Sequence, residues 1–273
     1  MYYEESKARE LVVAAGLKLV EEGLIARTWG NISARISDDE FIITPSGRAY
    51  EDLKPEDLVK VKMDDLSYDG DIKPSSEKGI HAVAYILRKE LGFIIHTHQF
   101  YATVIGLDGK DKAGAACAGY GLPGTDKLKD NVMQAISKHP SYSAFLLQRH
   151  GALLLGKDFD DAFKLAALLE TEARIVFETE LGNVKPYFEA CKKMGTSLPA
   201  YIDDFAQILG PSVSLKKEKD EICVGEDKEA EEMILDKNCA CMLYAKEKHI
   251  RPLGFADANI QRLVYKTKYS KLK

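Results

Sequence analysis

The sequence predicts an α/β layered domain. Short apolar or alternating runs with strand spacing recur between Trp29 and Leu155, and longer segments with apolar residues at helical spacing lie between and around them. The chain has 273 residues, 45% hydrophobic and 30% charged. That composition is ordinary for a globular protein, and the length suits one large domain or one domain with an appendage.

The elements follow in order. Glu4 to Glu22 is amphipathic and ends at Gly23. Trp29 to Arg35 and Glu40 to Thr44 are two strands of a hairpin, joined by the turn signal Ser37-Asp38-Asp39. Pro45-Ser46-Gly47 is a loop. Leu58 to Met63 alternates as a strand does, and Asp69-Gly70-Asp71 is a turn. Ser75-Ser76-Glu77 opens a helix expected to run to about Glu90, with Ile80, Ala84 and Leu87 on one stripe. Phe93 to His98 is a strand and Phe100 to Ile105 a short helix. Gly106 to Gly124 holds six glycines and reads as loop. Asp126 to Lys138 is helical; Ser143 to Gln148 and Ala152 to Leu155 are buried strands. Asp160 to Glu180 is a long helix whose Ala162, Leu165, Ala166, Leu169, Ala173 and Val176 share one face. Gly182-Asn183 stops it, and a domain boundary falls between Gly182 and Pro199. Beyond it, Ile222 to Ile234 faintly echoes Leu153 to Leu165, as a degenerate repeat or by chance.

Charge and cysteine usage exclude several classes. The formal net charge is -5 with no dominating basic block, so nucleic acid is not an expected partner; the basic tail from Tyr265 to Lys273 reads as a solvated end. The N-terminus lacks signal-peptide character and no run of apolar residues is long enough to span a membrane, so a cytoplasmic location without membrane association is expected. Five cysteines, Cys117, Cys191, Cys223, Cys239 and Cys241, fit free thiols in a reducing compartment.

The chemistry concentrates in the stretch from Gly92 to Tyr101, GFIIHTHQFY. On a strand, His96 and His98 point to one face and can converge on one ion. A catalytic zinc usually takes three protein ligands and keeps an open position. His150, at the end of another buried strand and just before Gly151, supplies the third imidazole if that strand is adjacent. Such a site leaves the metal Lewis acidic and calls for a base. Glu77, at a helix start after Ser75 and Ser76, is the carboxylate; the serines and free amides of that turn suit an anion. Taken alone, the same residues also read as an ordinary helix cap. Gly30-Asn31 and Thr44-Pro45-Ser46-Gly47 offer similar donors at strand ends. His81 lies one helical turn after Glu77, where the two can interact.

In order, the chain carries GNIS at 30–33, TPSG at 44–47, SSE at 75–77, HTH at 96–98 and HG at 150–151. With these motifs it resembles the class II aldolase/adducin family over roughly residues 5 to 180. The resemblance implies a three-layer α/β/α domain around a mostly antiparallel sheet, and a homotetramer with active sites at subunit interfaces; the C-terminal residues exceed what that domain needs and are expected to form a small α/β extension. The resemblance divides the chain into a metal-dependent catalytic domain, 1–185, and an extension of unknown role, 186–273. It assigns His96, His98 and His150 to Zn2+, Glu77 to acid–base chemistry, and Asn31, Ser46, Gly47, Ser75 and Ser76 to the phosphate of a small sugar substrate. The implied reaction cleaves a ketose 1-phosphate into dihydroxyacetone phosphate and an aldehyde through an enediolate. The family's epimerases, decarboxylases and dehydratases are alternatives on the same scaffold; Glu77 after two serines favours the aldolase. A non-catalytic adducin-like domain is the third reading, and it predicts loss of the ligands that are present here. The family's aldehyde-side tyrosine has no clear counterpart: Tyr120 is the nearest, with Tyr244, Tyr265 and Tyr269 in the C-terminal segment as others.

Overall fold

The computed structural model describes residues 2–25 and 29–181. The faint repeat at 222–234, four of the five cysteines and the C-terminal tyrosines lie outside the described residues. Helix α1 spans Glu5–Glu21, capped by the Glu4 carboxylate, which accepts from the amides of Ser6 and Lys7. The strands are β1 (Asn31–Arg35), β2 (Glu40–Ile43), β3 (Val59–Lys62), β4 (Phe93–Thr97), β5 (Ala116–Ala118), β6 (Ala144–Leu147) and β7 (Gly151–Gly156). The remaining helices are α2 (Lys78–Leu87), α3 (Phe100–Ile105), α4 (Asp126–Lys138) and α5 (Phe159–Leu181).

The strands form one sheet in the order β3-β2-β1-β4-β7-β6-β5. Every pairing is antiparallel except β5 with β6. Strand alternation divides the interior into two cores. Ile32, Ala34, Ile95 and Leu154 pack with residues of α1, α3 and α5; Ile43, Ile94, Phe145 and Leu153 pack with residues of α2 and α4. The architecture is therefore α/β/α around a mostly antiparallel sheet. Among the described residues, no helix is long and apolar enough to cross a membrane.

Three expectations change. The stretch from Gly106 to Gly124 is not all loop, because Ala116–Ala118 adds an edge strand parallel to β6. Three small residues carry no periodic signal; the strand exists through its pairing. Helix α2 starts at Lys78 and stops at Leu87, short of Glu90. Its end is set by the buried Arg35, whose guanidinium donates to the carbonyls of Tyr85 (3.2 Å) and Lys89 (3.3 Å). Leu87 is 41% exposed: the buried row runs Ile80–Ala84 and continues to position 88, so Leu87 falls beside it. Finally, His150 lies in the turn between β6 and β7, not in a strand; its amide donates to Leu147 O at 2.9 Å.

Candidate active site

Sheet register brings the site together. β4 lies between β1 and β7, with Asn31 opposite His96 on one side and Thr97 opposite Ala152 on the other. His96 shares its face with Ile94, which packs toward α2. His98 follows the strand by one residue on the same side. His150 enters from the β6–β7 turn immediately before β7. Glu77 stands at the N-terminus of α2 and forms no cap bond with its side chain; its carboxylate turns inward instead.

The three imidazole centroids form a nearly equilateral triangle of 4.8, 4.9 and 5.0 Å. The ligand-type atoms of Glu77, His96, His98 and His150 all lie within 4.8 Å of one another. Glu77 Oε2 is 3.2 Å from His96 Nε2, and Glu77 Oε1 is 3.2 Å from His150 Nε2. His96 Nδ1 donates to the Ala152 carbonyl at 2.8 Å. In the neutral ring that leaves a lone pair on Nε2, which faces His98 Nε2 at 3.2 Å. All four residues are buried. Glu77 Oε1 and both ring nitrogens of His150 make no hydrogen bond despite their burial. Lone pairs converging in a buried pocket are costly unless a cation sits among them. Three imidazoles and a carboxylate suit a borderline divalent ion, so these residues fit a metal.

Electrostatics agree. Burial pulls His150 down to about 4, and His96 adds to this, while Glu77 opposes it. The neutral imidazole is the ligand form. Burial works against the Glu77 charge, but the neighbouring His150 and His96 outweigh it and hold the carboxyl well below the usual range.

The anion-binding expectations occupy neighbouring loops. An isolated bridge pairs Pro45 with Pro74, and the amides of Ser46 and Ser75 bond Lys73 O and Thr44 O at 2.9 and 3.0 Å. Ser46, Gly47 and Ser76 are exposed, and Gly47 (φ +74°) has open space where a Cβ would point. Ser75 is buried, and its Oγ accepts the Glu77 amide at 3.2 Å, which holds the turn that presents Glu77. Asn31 is also buried; its Nδ2 donates to Glu77 Oε2 at 3.1 Å and its Oδ1 meets His81 Nε2 at 2.6 Å. His81 thus reaches Glu77 through Asn31 and not directly across the helical turn. Tyr120 sits beneath the Arg149 guanidinium, 5.9 Å from the ring centroid, one residue from His150 in the chain.

Two contributions escaped the sequence reading. Trp29 stacks on His98, with centroids 6.1 Å apart and planes 30° apart, which orients that ring at the edge of the site. A polar row on β1, Asn31-x-Ser33-x-Arg35, faces another on α2, Glu77-x3-His81-x3-Tyr85. Period-two polar residues inside a strand buried on both faces were the available signal.

Comparison with known proteins follows the same lines. The model of the class II aldolase and adducin N-terminal domain matches residues 10–177. The 5-deoxy-D-ribulose 1-phosphate aldolase of Bacillus thuringiensis serovar kurstaki is 32% identical over 186 residues, covering 64% of this chain and 86% of that protein. The L-ribulose-5-phosphate 4-epimerase UlaF of Salmonella paratyphi B is 30% identical over 192 residues, covering 63% and 84%. Among solved structures, an L-fuculose 1-phosphate aldolase superposes with a TM-score of 0.59 at 28% identity, covering 65% of this chain and 88% of that one. The L-fuculose-1-phosphate aldolase of Thermus thermophilus gives 0.52 at 25% identity, covering 63% and 93%.

Proposed function

The chain belongs to the class II aldolase and adducin family, and from that premise we propose that it is a zinc-dependent aldolase that cleaves a ketose 1-phosphate into dihydroxyacetone phosphate and an aldehyde. The observation that carries the reading is the convergence of Glu77 with three buried imidazoles within 4.8 Å. A non-catalytic domain would have no use for that arrangement.

His96, His98 and His150 would hold the ion. When bound, it supplies Lewis acidity that lowers the cost of negative charge on the substrate oxygens. Ser46, Gly47, Ser75, Ser76 and the remaining amide hydrogen of Asn31 receive the phosphate and fix the reacting carbons beside Glu77. A base withdraws the hydroxyl proton on the aldehyde side of the breaking bond. The carbon–carbon bond then cleaves, its electron pair passes to the three-carbon fragment, and Glu77, ionised at rest, takes up a proton from solvent and passes it to the carbon that carried the bond. Tyr120 is the described residue that we assign, by position, to the aldehyde-side proton. Residues 1–185 are the catalytic domain in this reading, residues 186–273 an extension, and the protein a cytoplasmic homotetramer.

The similarity to an L-ribulose-5-phosphate 4-epimerase favours a second reading, in which the same cleavage is followed by recombination. Incubation with a panel of ketose 1-phosphates and with L-ribulose 5-phosphate, with and without a chelator, separates the two. Chelator-sensitive release of dihydroxyacetone phosphate is expected. Interconversion of pentulose 5-phosphates without triose release would replace the aldolase reading with the epimerase.

A further inference from the structure

The hydrogen bonds behind Glu77 form a single file. Ile32 and Ala34 of β1 pack toward α1 and α5, which turns Asn31 and Ser33 toward α2. There, His81 and Tyr85 stand one helical turn apart, the repeat that matches two residues of strand. Asn31, Ser33, His81 and Tyr85 are all buried. The contacts run from Tyr85 Oη to Ser33 Oγ (2.9 Å), from Ser33 Oγ to His81 Nδ1 (2.7 Å), from His81 Nε2 to Asn31 Oδ1 (2.6 Å), and from Asn31 Nδ2 to Glu77 Oε2 (3.1 Å).

Donor and acceptor chemistry fixes the direction. An ionised carboxylate only accepts, so the atom of Asn31 beside it is the amide nitrogen. The other end of that amide is then a carbonyl oxygen, which only accepts, so His81 carries its proton on Nε2. Nδ1 of the neutral ring is left bare and takes the Ser33 hydroxyl proton. The Ser33 oxygen accepts in turn from Tyr85, whose hydroxyl also lies 3.1 Å from the Ser33 carbonyl. From the Ser33 hydroxyl onward, every proton points toward Glu77. Burial, with His96 adding and Glu77 opposing, pulls His81 down to about 3, so the ring stays neutral, the only form that donates at one nitrogen while accepting at the other.

A buried histidine that merely filled the core would need its two nitrogens satisfied and nothing more. This one takes its partners from a strand that also contacts the reactive carboxylate, and the file ends in the site instead of closing on itself. We propose that His81 is a positioning residue: it locks the Asn31 amide in the one orientation that donates to Glu77, and so fixes the carboxylate for proton transfer. The inference rests on the reading of Glu77 as the proton carrier.

The test is steady-state kinetics of His81→Phe and His81→Gln on a cleaved ketose phosphate, with bound metal measured in parallel. Phe fills the space without polar atoms; Gln offers one donor and one acceptor. His81→Phe is expected to lower kcat about tenfold or more, the usual scale for groups that orient a reactive side chain, with KM within about twofold and metal content unchanged. His81→Gln is expected to recover most of kcat. A His81→Phe enzyme with wild-type kcat, or one whose only defect is a raised KM, overturns the proposal. If His81→Phe does not fold, Ser33→Ala keeps the imidazole and removes its hydroxyl donor; it must lower kcat in wild type and leave Glu77→Gln no worse, and a Ser33→Ala enzyme at full kcat overturns the proposal. 15N NMR of the wild-type imidazoles at neutral pH must show His81 as the Nε2–H tautomer, and the Nδ1–H tautomer would reverse the file and refute it. Full activity in Glu77→Gln would instead sink the underlying reading, which separates the two failures.

Discussion

A Cβ added to Gly151 would lie 2.2 Å from the carbonyl oxygen of Thr97 and 3.3 Å from Cε1 of His96. The glycine after His150 therefore serves the neighbouring strand. β7 can approach β4 closely enough to bring His150 to His96 only because position 151 has no side chain. Gly151→Ala forces a backbone shift and is expected to destabilise the protein by about 1–3 kcal/mol, the usual cost of overpacking. It should also weaken metal binding. Chemical denaturation and a metal titration check both; wild-type values in each would show that the strands have room.

Glu77→Gln retains shape and hydrogen-bonding capacity but not proton transfer. Turnover is expected to fall by about 10²–10⁴, the range general acid–base groups contribute, with dihydroxyacetone phosphate release as the readout. Activity equal to wild type would remove Glu77 from the chemistry.

Arg35 has a fully buried side chain, and its guanidinium donates to the carbonyls of Ser37, Asp38, Tyr85 and Lys89. Arg35→Met leaves the buried Tyr85 carbonyl without this donor and frees three more at the surface, and is expected to cost about 1–3 kcal/mol. Arg35→Lys should recover only part, because a single ammonium cannot span the fork of acceptors. Urea unfolding midpoints distinguish the two; a loss under about 0.5 kcal/mol, the range of an ordinary surface change, would contradict the assignment.

Acid should destabilise the metal-free protein. His81 and His150 are held down to about 3 and about 4 in the folded state, against an ordinary value of 6.5. The unfolded chain therefore binds more protons as pH falls below about 6.5, and folding stability declines from there toward about 4. Glu77, held below its usual range, acts in the same sense below 4.5. The combined loss is on the order of a few kcal/mol. Unfolding of chelator-treated protein between pH 7.5 and 4.5 measures it, and a flat profile would contradict the burial of these rings.

Much of this fold was legible in sequence because local signals matched the tertiary outcome. The spacing of Asp126 to Lys138 gave α4 to the residue, and alternation gave β3 its faces. The His96–His98 pair was legible for the same reason, since period two is a property of any strand. What sequence withheld depends on pairing. The β5 strand has no periodicity of its own, the end of α2 is dictated by an arginine on a distant strand, and His150 was placed in a strand although a turn presents it. The file from Tyr85 to Glu77 alternates between β1 and α2, so neither segment alone shows it.

The most direct measurement is the divalent metal content of the purified chain by elemental analysis, beside that of His98→Ala. The account predicts about one zinc or similar ion per chain in wild type, consistent with a buried three-imidazole site, and loss of most of it together with activity in His98→Ala. Active protein without metal, or a His98→Ala variant that keeps both, would contradict it.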